Sequence, residues 1–372
     1  MTEAVLTRVS VPTTLLQDLV NRAAKGSTMQ DIIPLSCLMQ VKIKDKKLSV
    51  RTTDNTNFVT ATSQNTVEAD DFEIVVETKL FQALISKLSK ENTTLSVEGN
   101  SVTIIADGTY NIPLSVDADG SRIVFPEPSF TAVGGSKLVT AEEIHSILSL
   151  NKACKADAKE IPAIYNYYFD NTQVLTTNVF KGCKNPVSAF ESAVCLSPNV
   201  VELMTAVADG SGVTVEQSED AVLFSSTLGE VYGKKCLPAD LEAFPVDGLT
   251  EAFSSEISAS AEFSKTSLVS TLERMGLFAD TLESNKLVIT FDATGLVLHS
   301  EKTKSEEKVA YVKAPVTPLT SNVTFAIDAR YLKDEIASLT ADQITIKFSA
   351  EFGLQIICGK ATIMLCVLDE NA

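Results

Sequence analysis

Histidines and paired carboxylates are the residues through which this sequence could perform acid–base or nucleophilic chemistry. The two histidines, His145 and His299, lie far apart in the chain, one on a predicted helix and the other at the end of a predicted strand. Glu142 and Glu143 are adjacent, which suits surface charge better than an acid–base couple. The chain has no metal-protease or nucleophile-elbow pattern, and the glycines of Val133–Lys137 lack the spacing of a phosphate loop. The sequence therefore predicts a protein that is not an enzyme.

Cysteine could supply metal ligands or disulfides, but here the cysteines are odd in number and scattered without a CxxC pair. They are Cys37, Cys154, Cys183, Cys195, Cys236, Cys358 and Cys366. Metal sites and disulfide frameworks use characteristic spacings, which this set lacks. We therefore expect free, buried thiols in a reducing compartment, with no metal and no cofactor.

Composition and charge indicate a folded, acidic chain of more than one domain. At 372 residues the chain is long enough for two or three domains, and its 45% hydrophobic residues can form a substantial core. The formal net charge of -17 repels nucleic acid on average, which argues against a basic protein that wraps DNA. Duplex DNA can still pass a locally basic surface, because cellular salt screens charges beyond roughly 8 Å.

No segment is expected to direct the chain out of the cytoplasm or into a membrane. Residues 1–20 lack the basic start and the continuous apolar run of a signal peptide. No window of the sequence approaches the roughly 20 apolar residues that a membrane helix needs. The predicted location is therefore cytoplasmic, without membrane contact.

Apolar residues at helical spacing predict helices that come in three pairs along the chain. The predicted helices are Pro12–Ala24, Thr78–Leu88, Thr140–Lys152, Ser197–Ala208, Ser264–Met275 and Asp328–Leu339. The stripe of the last one consists of Tyr331, Leu332, Glu335, Ile336 and Leu339. The expected side-chain caps of the second helix in each pair are Thr78, Ser197 and Asp328.

Short alternating runs around turns separate and follow these helices, as expected for strands with one buried face. The chain therefore predicts the order β-α-β-β-β-α-β-β-β three times, with strands and helices segregated as in an α+β fold. Proline-bearing joints lie at Phe125–Phe130 and Ala243–Gly248. We accordingly place three domains at residues 1–127, 128–247 and 248–372.

This layout resembles the bacterial beta sliding clamp of the replicative DNA polymerase, over the whole chain. Ile161–Asn178 is similar to the stretch that leads into the Thr-Asp-Gly-His-Arg motif of that family's middle domain. The joint at Ala243–Gly248 is similar to the family's proline-bearing joint before the last domain. Ala361–Leu368 is similar to the hydrophobic strand near its C-terminus.

Two departures distinguish the chain from that family. In place of the Thr-Asp-Gly-His-Arg motif it has Thr177, Asn178, Val179, Phe180 and Lys181. The chain also continues as Asp369–Ala372, past the family's usual end. Both changes touch the family's partner site, so the resemblance implies a divergent member, cellular or phage, with an altered partner preference.

The resemblance implies a head-to-tail homodimeric ring with three repeated DNA-clamp domains per chain, helices lining a central hole and sheets outside. Such a ring encircles double-stranded DNA without sequence preference, tethers the DNA polymerase and is opened by an ATP-driven clamp loader. Since a ring leaves DNA only at an end, its phosphate contacts can stay weak enough for sliding. The function implied is that of a processivity factor.

The resemblance also assigns three groups of residues. The DNA-facing candidates are Arg22, Lys25, Lys79, Lys87, Lys90, Lys152, Lys155, Lys159, Lys265, Arg274, Arg330 and Lys333. The partner-peptide pocket would comprise Ile164, Thr177, Val179, Phe180, Lys181, Pro245, Val246, Met364, Leu365, Cys366, Val367 and Leu368. The dimer interface would comprise Tyr110, Ile112 and Leu114, on a strand that Pro113 marks as an edge, and Leu277 and Phe278.

Two other functions stay open on the sequence alone. The chain could be a repeat scaffold that binds only proteins, as a monomer or an open chain, and would then not stay on circular DNA. It could also be an enzyme whose site is assembled from scattered aspartates around a metal. Such an enzyme would show metal-dependent turnover.

Overall fold

Each repeat folds as one strand, a first helical segment, four strands, a second helix and three strands, in the residues that the computed structural model describes (7–28, 34–157, 161–315, 322–349 and 353–368). The sequence predicted only three strands between the helices, and that part of the prediction is wrong. The additional strand runs directly into the second helix of each repeat, at Phe72–Glu77, Val194–Leu196 and Val323–Asp328. Consecutive residues of these strands are buried, so they lack the two-residue alternation that marks a half-buried strand.

The elements follow one another in the same order in the three repeats. The first contains β1 (Thr7–Pro12), α1 (Thr13–Ala23), β2 (Leu38–Lys44), β3 (Lys47–Thr53), β4 (Phe58–Thr62), β5 (Phe72–Glu77), α2 (Thr78–Ile85), β6 (Asn92–Glu98), β7 (Ser101–Ile105) and β8 (Thr109–Pro113). The second contains β9 (Lys137–Val139), α3 (Ala141–Ser146), α4 (Lys152–Cys154), α5 (Pro162–Tyr165), β10 (Tyr167–Phe169), β11 (Val174–Thr177), β12 (Lys181–Asn185), β13 (Val194–Leu196), α6 (Pro198–Val207), β14 (Val213–Gln217), β15 (Ala221–Ser226) and β16 (Gly229–Lys234). Between the second and third repeats lie α7 (Pro238–Glu242) and α8 (Val246–Phe253). The third contains β17 (Ala259–Ser264), α9 (Lys265–Gly276), β18 (Lys286–Phe291), β19 (Gly295–His299), β20 (Glu306–Ala310), β21 (Val323–Asp328), α10 (Ala329–Ser338), β22 (Gln343–Ser349), β23 (Gly353–Cys358) and β24 (Ala361–Leu365).

The structure confirms one of the predicted helix caps and contradicts another. The Asp328 carboxylate accepts hydrogen bonds from the backbone N–H groups of Arg330 and Tyr331 at 2.9 and 3.3 Å, which confirms it as the cap of α10. Thr78 is wrong as a cap, because it is already the first residue of α2 and Glu77 occupies the cap position. Propensity alone does not fix a helix start when a strand runs straight into the helix.

The predicted middle-repeat helix, Thr140–Lys152, is interrupted. Between α3 and α4 lies one π-helical turn, Ile147–Asn151, which brings the fully buried Asn151 against the sheet. Its amide donates to the Val174 carbonyl and the Thr176 hydroxyl, both at 3.3 Å, and accepts from Asn185 at 3.1 Å. The polar side chain is therefore satisfied inside the core, as a buried amide must be.

The chain forms two compact units, each with an eight-stranded antiparallel sheet. The first comprises Met1–Ile144, Ala189–Glu191 and Asn199–Lys235, and the second His145–Ser188, Ser192–Pro198 and Cys236–Ala372. Their eight-stranded sheets have the orders β5-β2-β3-β4-β16-β15-β14-β9 and β13-β10-β11-β12-β24-β23-β22-β17. The first unit also contains the sheet β1-β6-β7-β8, and the second contains β20-β19-β18-β21. The domain boundaries that we place from the sequence stay a prediction.

One type of junction builds both eight-stranded sheets. In the first unit β4 pairs with β16, with Thr60 opposite Glu230. In the second unit β12 pairs with β24, with Lys184 opposite Thr362. Each junction therefore joins the third strand after a repeat's first helix to the last strand of the following repeat.

Large apolar side chains under the helices fill the cores. In the first unit Leu16 and Leu19 of α1 meet Phe81 and Ile85 of α2, each at most 1% exposed. In the second unit α9 and α10 pack in the same way over the third-repeat sheets. Each such side chain contributes roughly 1.5–3 kcal/mol through burial, which explains why the apolar stripes predict these helices well. Of the seven thiols that were expected to be buried, Cys154, Cys183 and Cys195 are buried, whereas Cys37, Cys236, Cys358 and Cys366 are only half-buried.

Candidate DNA-facing surface and partner-binding cleft

Three basic side chains on and after α2 form the clearest positively charged group of the first repeat. Lys79, Lys87 and Lys90 are exposed. Within the described residues their ammonium groups have no hydrogen bond or ion pair. They can therefore exchange water for a phosphate oxygen without first breaking a contact inside the protein.

Two basic residues at the end of α1 have partners in the chain. The Arg22 guanidinium lies 2.8 Å from the Asp18 carboxylate one turn earlier. Lys25 donates to the carbonyl and the hydroxyl of Thr205, both at 3.1 Å. Partial burial, together with the charge of Arg22, lowers the pKa of Lys25. These two side chains are less available for phosphate than the lysines on and after α2.

The other basic candidates in the described residues are mostly held by acceptors of the same unit. The acceptors are Ala156 for Lys155 (3.2 Å), Leu339 for Lys265, Glu307 for Arg274, Asp328 for Arg330 (3.8 Å) and Asp334 for Lys333 (3.5 Å). Lys152 is exposed on α4, and Lys159 lies outside the described residues. Exposed ion pairs are worth little, so those of Arg274, Arg330 and Lys333 can open, but while closed they reduce the positive charge offered to a ligand. The DNA-facing role stays a prediction for the whole set.

A tight turn between β11 and β12 carries the residues that replace the family motif. The Thr177 hydroxyl donates to the Lys181 carbonyl at 2.8 Å and accepts from the N–H of Val179 at 3.0 Å. The turn between β3 and β4 in the first repeat has the same bonds, made by the Thr53 hydroxyl at 2.6 and 2.9 Å. In both turns the third residue is left-handed, with φ of 80° at Val179 and 82° at Asn55. Asparagine tolerates this conformation, whereas a β-branched valine does not.

We expect the substitution Val179→Gly to stabilise the protein. A left-handed φ costs a residue with a Cβ roughly 1–2 kcal/mol, so removal of the side chain should raise the free energy of unfolding by about 1 kcal/mol. The Val179 side chain is 61% exposed, so little packing is lost with it. Urea unfolding followed by circular dichroism would measure the gain. Val179→Ala keeps the Cβ and should give a smaller one; equal gains would show that φ is not the cause.

A cleft of about 120 Å³ lies beside this turn in the second unit and is lined by apolar and polar residues alike. The turn contributes Phe180, β21 and α10 contribute Ile327 and Tyr331, and the C-terminal segment contributes further apolar residues. The full lining consists of Phe180, Ser284, Ile327, Asp328, Arg330, Tyr331, Leu365, Cys366 and Leu368. This volume is smaller than that of a site for a drug-sized ligand and suits a single side-chain anchor.

Backbone hydrogen bonds hold the C-terminal segment, residues 366–368, against the β11–β12 turn and β21. Cys366 N–H donates to the Phe180 carbonyl, and Leu368 N–H donates to the Ala326 carbonyl, both at 2.9 Å. The Cys366 thiol also lies 3.5 Å from the Val179 carbonyl. The segment therefore ties the β11–β12 turn to β21.

The cleft contains four of the residues predicted for the partner pocket and five that the sequence did not indicate. The predicted ones are Phe180, Leu365, Cys366 and Leu368, and the additional ones are Ser284, Ile327, Asp328, Arg330 and Tyr331. The remaining predicted residues, Ile164, Thr177, Val179, Lys181, Pro245, Val246, Met364 and Val367, do not line it. Ile164, Thr177 and Met364 are buried, and Met364 packs with Tyr168, Phe244 and Leu249 in a neighbouring apolar cluster.

A buried ion pair lies next to the cleft. Lys181 Nζ is 2.6 Å from Glu335 Oε1, and their side chains are only 11% and 1% exposed. The same ammonium lies 4.9 Å from the centre of the Tyr331 ring. The pair links β12 to α10, and so it joins the two elements that carry Phe180 and Tyr331.

The side chains predicted for the dimer interface separate into exposed and buried ones. Leu277 is 82% exposed, and Phe278 and Tyr110 are also at the surface. Ile112 and Leu114 instead pack into the core of the first repeat, so Tyr110 is the one predicted side chain of β8 at the surface, beside the exposed Thr109, Asn111 and Pro113. The interface role itself stays a prediction.

Two further features of the described residues bear on function. No helix there is both long and apolar enough to span a membrane. No group of three or more histidine, cysteine, aspartate or glutamate side chains is placed there to hold a metal ion.

Repeated α+β units, joined strand to strand between successive repeats, define the DNA-clamp class of fold. Two family models match the chain: the N-terminal domain of the DNA polymerase III beta subunit over residues 7–119, and the C-terminal domain over residues 250–358. Together they span more than half of the chain, which therefore belongs to the DNA polymerase III beta subunit family, the bacterial sliding clamps. A comparison with curated protein sequences gives no match.

Solved structures agree on the fold along nearly the whole chain. The beta subunit from Thermotoga maritima aligns with a TM-score of 0.78 and 16% identity, over 98% of this chain and 99% of that one. That from Streptococcus pyogenes aligns with a TM-score of 0.81 and 14% identity, over 97% and 99%. That from Borrelia burgdorferi, in complex with a natural product, aligns at 0.78 and 14%, over 98% of both chains. The fold is thus kept at very low identity.

Proposed function

We propose that this protein is a DNA sliding clamp: a head-to-tail homodimeric ring that encircles duplex DNA and tethers the replicative polymerase to it. The observation that carries the proposal is the strand junction that occurs once in each unit. The family resemblance implies that two chains form the ring. The junction indicates which strands would pair between the two chains.

Two strands at the positions that form this junction have no such partner in the described residues. β4 of the first repeat pairs with β16 of the second, and β12 of the second pairs with β24 of the third. The corresponding strands without such a partner in the described residues are β20 and β8, each at the edge of its four-stranded sheet. Pairing β20 of one chain with β8 of another would repeat the junction a third time. Since the two edges differ, the contact is heterologous, which is the kind that closes rings.

The basic side chains support passage of DNA through such a ring. Lys79, Lys87 and Lys90 offer unneutralised ammonium groups on a chain whose net charge is -17. Contacts with phosphates alone carry no sequence information, so the ring can sit on any duplex. The overall acidity keeps the remaining surface from binding nucleic acid and thereby favours sliding over tight wrapping.

Retention on circular DNA tests the proposal directly. We expect the dimer, loaded by a clamp loader and ATP onto nicked circular duplex, to co-elute with the DNA at moderate salt. Linearisation should release it, because a ring can then slide off an end. Monomeric mass together with no retention after loading would overturn the proposal in favour of a protein-binding scaffold.

Reversing the charge of the lysines on and after α2 should weaken the hold on DNA. In the triple variant Lys79→Glu, Lys87→Glu and Lys90→Glu we expect retention to become less salt-dependent. Each lost phosphate contact lowers the slope of log affinity against log salt by about 0.9. The matched control is Lys44→Glu, Lys46→Glu and Lys360→Glu, which changes the charge equally at exposed positions outside the predicted DNA-facing set. An unchanged slope in the first triple variant would contradict the assignment of these lysines.

We propose that partner proteins bind at the cleft beside Phe180 and Tyr331. A cleft of this size, lined by apolar and polar groups, suits one anchor side chain of a short peptide segment from a polymerase or from the clamp loader. The ring itself performs no chemistry and needs no cofactor in this function. We place its work in the cytoplasm, where bacterial replication takes place.

A further inference from the structure

We propose that a polar groove on the eight-stranded sheet of the first unit binds an acidic peptide segment of a partner protein. The groove crosses the junction between β4 and β16, because the paired residues Thr60 and Glu230 both line it. It shares no residue with the cleft at Phe180 or with the lysines on and after α2. Its role therefore does not depend on the function proposed above.

Strand alternation places several cations on this face of the sheet. One set of alternating side chains from β2 and β3 enters the core of the first repeat, which leaves the other set on the opposite face. There Lys42 stands opposite Ser49, and Lys44 stands opposite Lys47. Like charges directly opposite one another destabilise a sheet, so folding alone does not favour the pair of lysines.

The groove is open to solvent, has a volume of about 760 Å³ and is polar throughout. Among the described residues, its lining contains no aromatic or aliphatic side chain. Serine and threonine hydroxyls make up much of it. The charged residues of the lining are Lys42, Lys44, Lys47, Arg51, Glu127 and Glu230. The groove is therefore net positive on a chain whose net charge is -17.

Lys44 and Lys47 supply the charge that the chain itself does not neutralise. Lys44 is exposed and forms no hydrogen bond or ion pair within the described residues, although the Asp45 and Asp71 carboxylates are near. Lys47 donates to two backbone carbonyls at 2.6 and 3.4 Å, which are neutral acceptors. Both ammonium groups can therefore pair with a carboxylate from outside.

Glu127 shows how this face holds a carboxylate carried by a non-helical, non-strand segment. Its Oε1 lies 3.6 Å from Lys42 Nζ and 3.4 Å from Arg51 Nη1, and its side chain is 64% exposed. Glu73 and Glu230 also neutralise these cations, at 3.6 Å from Lys42 and 3.9 Å from Arg51. Arg51 Nη1 is nevertheless buried without a hydrogen bond in the described residues. Glu127 is thus a loosely held competitor for an incoming carboxylate.

The spacing of the cations suits an extended peptide. Lys47, Ser49 and Arg51 follow one another at alternate positions of β3, so the two cations are roughly 13 Å apart along the strand. An extended peptide repeats its side chains on one face every roughly 7 Å. Acidic residues at alternate positions can therefore follow the row, with small polar residues between them against the hydroxyl groups.

Single-stranded nucleic acid fits the groove less well than an acidic peptide. Its bases bind by stacking on aromatic side chains, which the described lining lacks. Every nucleotide carries a phosphate, so part of the backbone would meet the Glu127 and Glu230 carboxylates. A peptide can present neutral residues at those points and acids at the lysines.

Two synthetic peptides that differ only in charge test the proposal. The probes are fluorescein-labelled Gly-Asp-Ser-Asp-Ser-Asp-Gly and the same peptide with asparagine in place of every aspartate. Fluorescence anisotropy with the full-length protein at low ionic strength should show the aspartate peptide binding about three- to tenfold more tightly. Added salt should reduce this advantage. Equal binding of the two peptides would overturn the proposal.

Variants assign the binding to the groove. The double variant Lys44→Gln, Lys47→Gln should bind the aspartate peptide about three- to tenfold more weakly. The matched control is Lys302→Gln, Lys360→Gln, which removes two exposed charges outside the groove and should behave like the wild type. Glu127→Gln should bind about two- to fivefold more tightly, because the competing carboxylate is gone. Affinity that is unchanged in the Lys44→Gln, Lys47→Gln variant, or not raised by Glu127→Gln, would contradict the assignment.

Two further measurements exclude other causes. The double variant should unfold in urea at the same midpoint as the wild type or at a higher one, since it removes two like charges that face each other. A fluorescein-labelled oligothymidylate should bind with an affinity that the double variant does not change. An oligothymidylate that binds more tightly than the peptide and loses affinity in the double variant would show that the occupant is nucleic acid.

Discussion

Replacement of Leu277 by aspartate should convert the dimer into monomers. Leu277 directly follows α9 and is 82% exposed in the single chain, with Phe278 beside it. If the third repeat of one chain meets the first repeat of the other, this side chain becomes buried in the contact. A carboxylate buried there without a partner costs roughly 3–5 kcal/mol, which weakens the association more than about a hundredfold.

Analytical ultracentrifugation would measure the change as a fall from twice the chain mass to one. Tyr110→Asp, on the opposite edge strand β8, should act in the same direction because it changes the other half of the contact. The control is Leu237→Asp, which places the same charge at a 70% exposed leucine of the same unit, outside the predicted interface. This variant should stay dimeric.

The loss of the dimer should carry a functional signature. A monomer cannot close around DNA, so Leu277→Asp should lose retention on nicked circles while its peptide cleft stays intact. A variant that remains dimeric and retained would show that the ring closes through another surface. The edge-strand argument for β8 and β20 would then fail with it.

Helices and most strands, which depend on residues close together in the sequence, could be predicted. Contacts between residues far apart in the sequence could not. Apolar stripes gave the helices, since a stripe of leucines records which face is buried. The alternation around turns gave most strands but missed β5, β13 and β21, because a strand buried on both faces has no alternation to show.

The candidate cleft contains residues that local sequence patterns did not predict. Phe180 and Leu365 were predicted through the family resemblance, as parts of two phrases that lie far apart in the chain. Ser284 and Arg330 were not predicted for the pocket, because only the pairing of β18 with β21 and of the C-terminal segment with the β11–β12 turn and β21 brings them to the same cleft as Phe180. No periodicity within one segment encodes such a contact.

The ion-pair partners of the basic side chains were also difficult to predict from the sequence. The sequence places Arg274 on a helix face, but not the Glu307 carboxylate that stands beside it. A list of basic residues therefore overstates the positive surface available to DNA. Among the predicted DNA-facing residues that the structure describes, Lys79, Lys87 and Lys90 have ammonium groups without a hydrogen bond or an ion pair.

Glu335 is the clearest example of a residue that the sequence could not explain. Its spacing puts it on the apolar stripe of α10, where an ionised carboxylate is costly. Its partner Lys181 comes from β12, in another repeat. In the described residues Glu335 Oε2 has no hydrogen-bond partner, so the pair satisfies only one of the two carboxylate oxygens.

Removing only the ammonium should therefore be strongly destabilising. In Lys181→Met the buried Glu335 loses its single strong partner, and we expect a loss of roughly 3–5 kcal/mol in the free energy of unfolding at neutral pH. Urea unfolding would record it as a lower midpoint. The double variant Lys181→Met, Glu335→Leu should recover most of the loss, because it removes the stranded charge as well. A single variant as stable as the wild type would show that the pair is not closed in solution.

The pH dependence of Lys181→Met separates a stranded charge from lost packing. Burial raises the pKa of Glu335 above its ordinary value of 4.5, although Lys181 opposes the shift. A carboxyl with a raised folded-state pKa adds stability that is complete below its unfolded pKa and is lost as the pH rises through the folded pKa. Without Lys181 the folded pKa rises further, so this loss extends to higher pH.

The deficit of Lys181→Met against the double variant should therefore shrink as the pH falls toward 4.5 and reach its full size above the folded pKa of Glu335. The neighbouring thiols do not disturb this window. A hydrogen bond to Cys183, together with burial, raises the pKa of Cys154, and burial raises the pKa of Cys358 to about 12. Both stay neutral, and Asp334, whose charge also raises the pKa of Glu335, is present in both variants, so their difference reports Glu335. A deficit that is the same at every pH would point to packing at position 181 and not to the charge on Glu335.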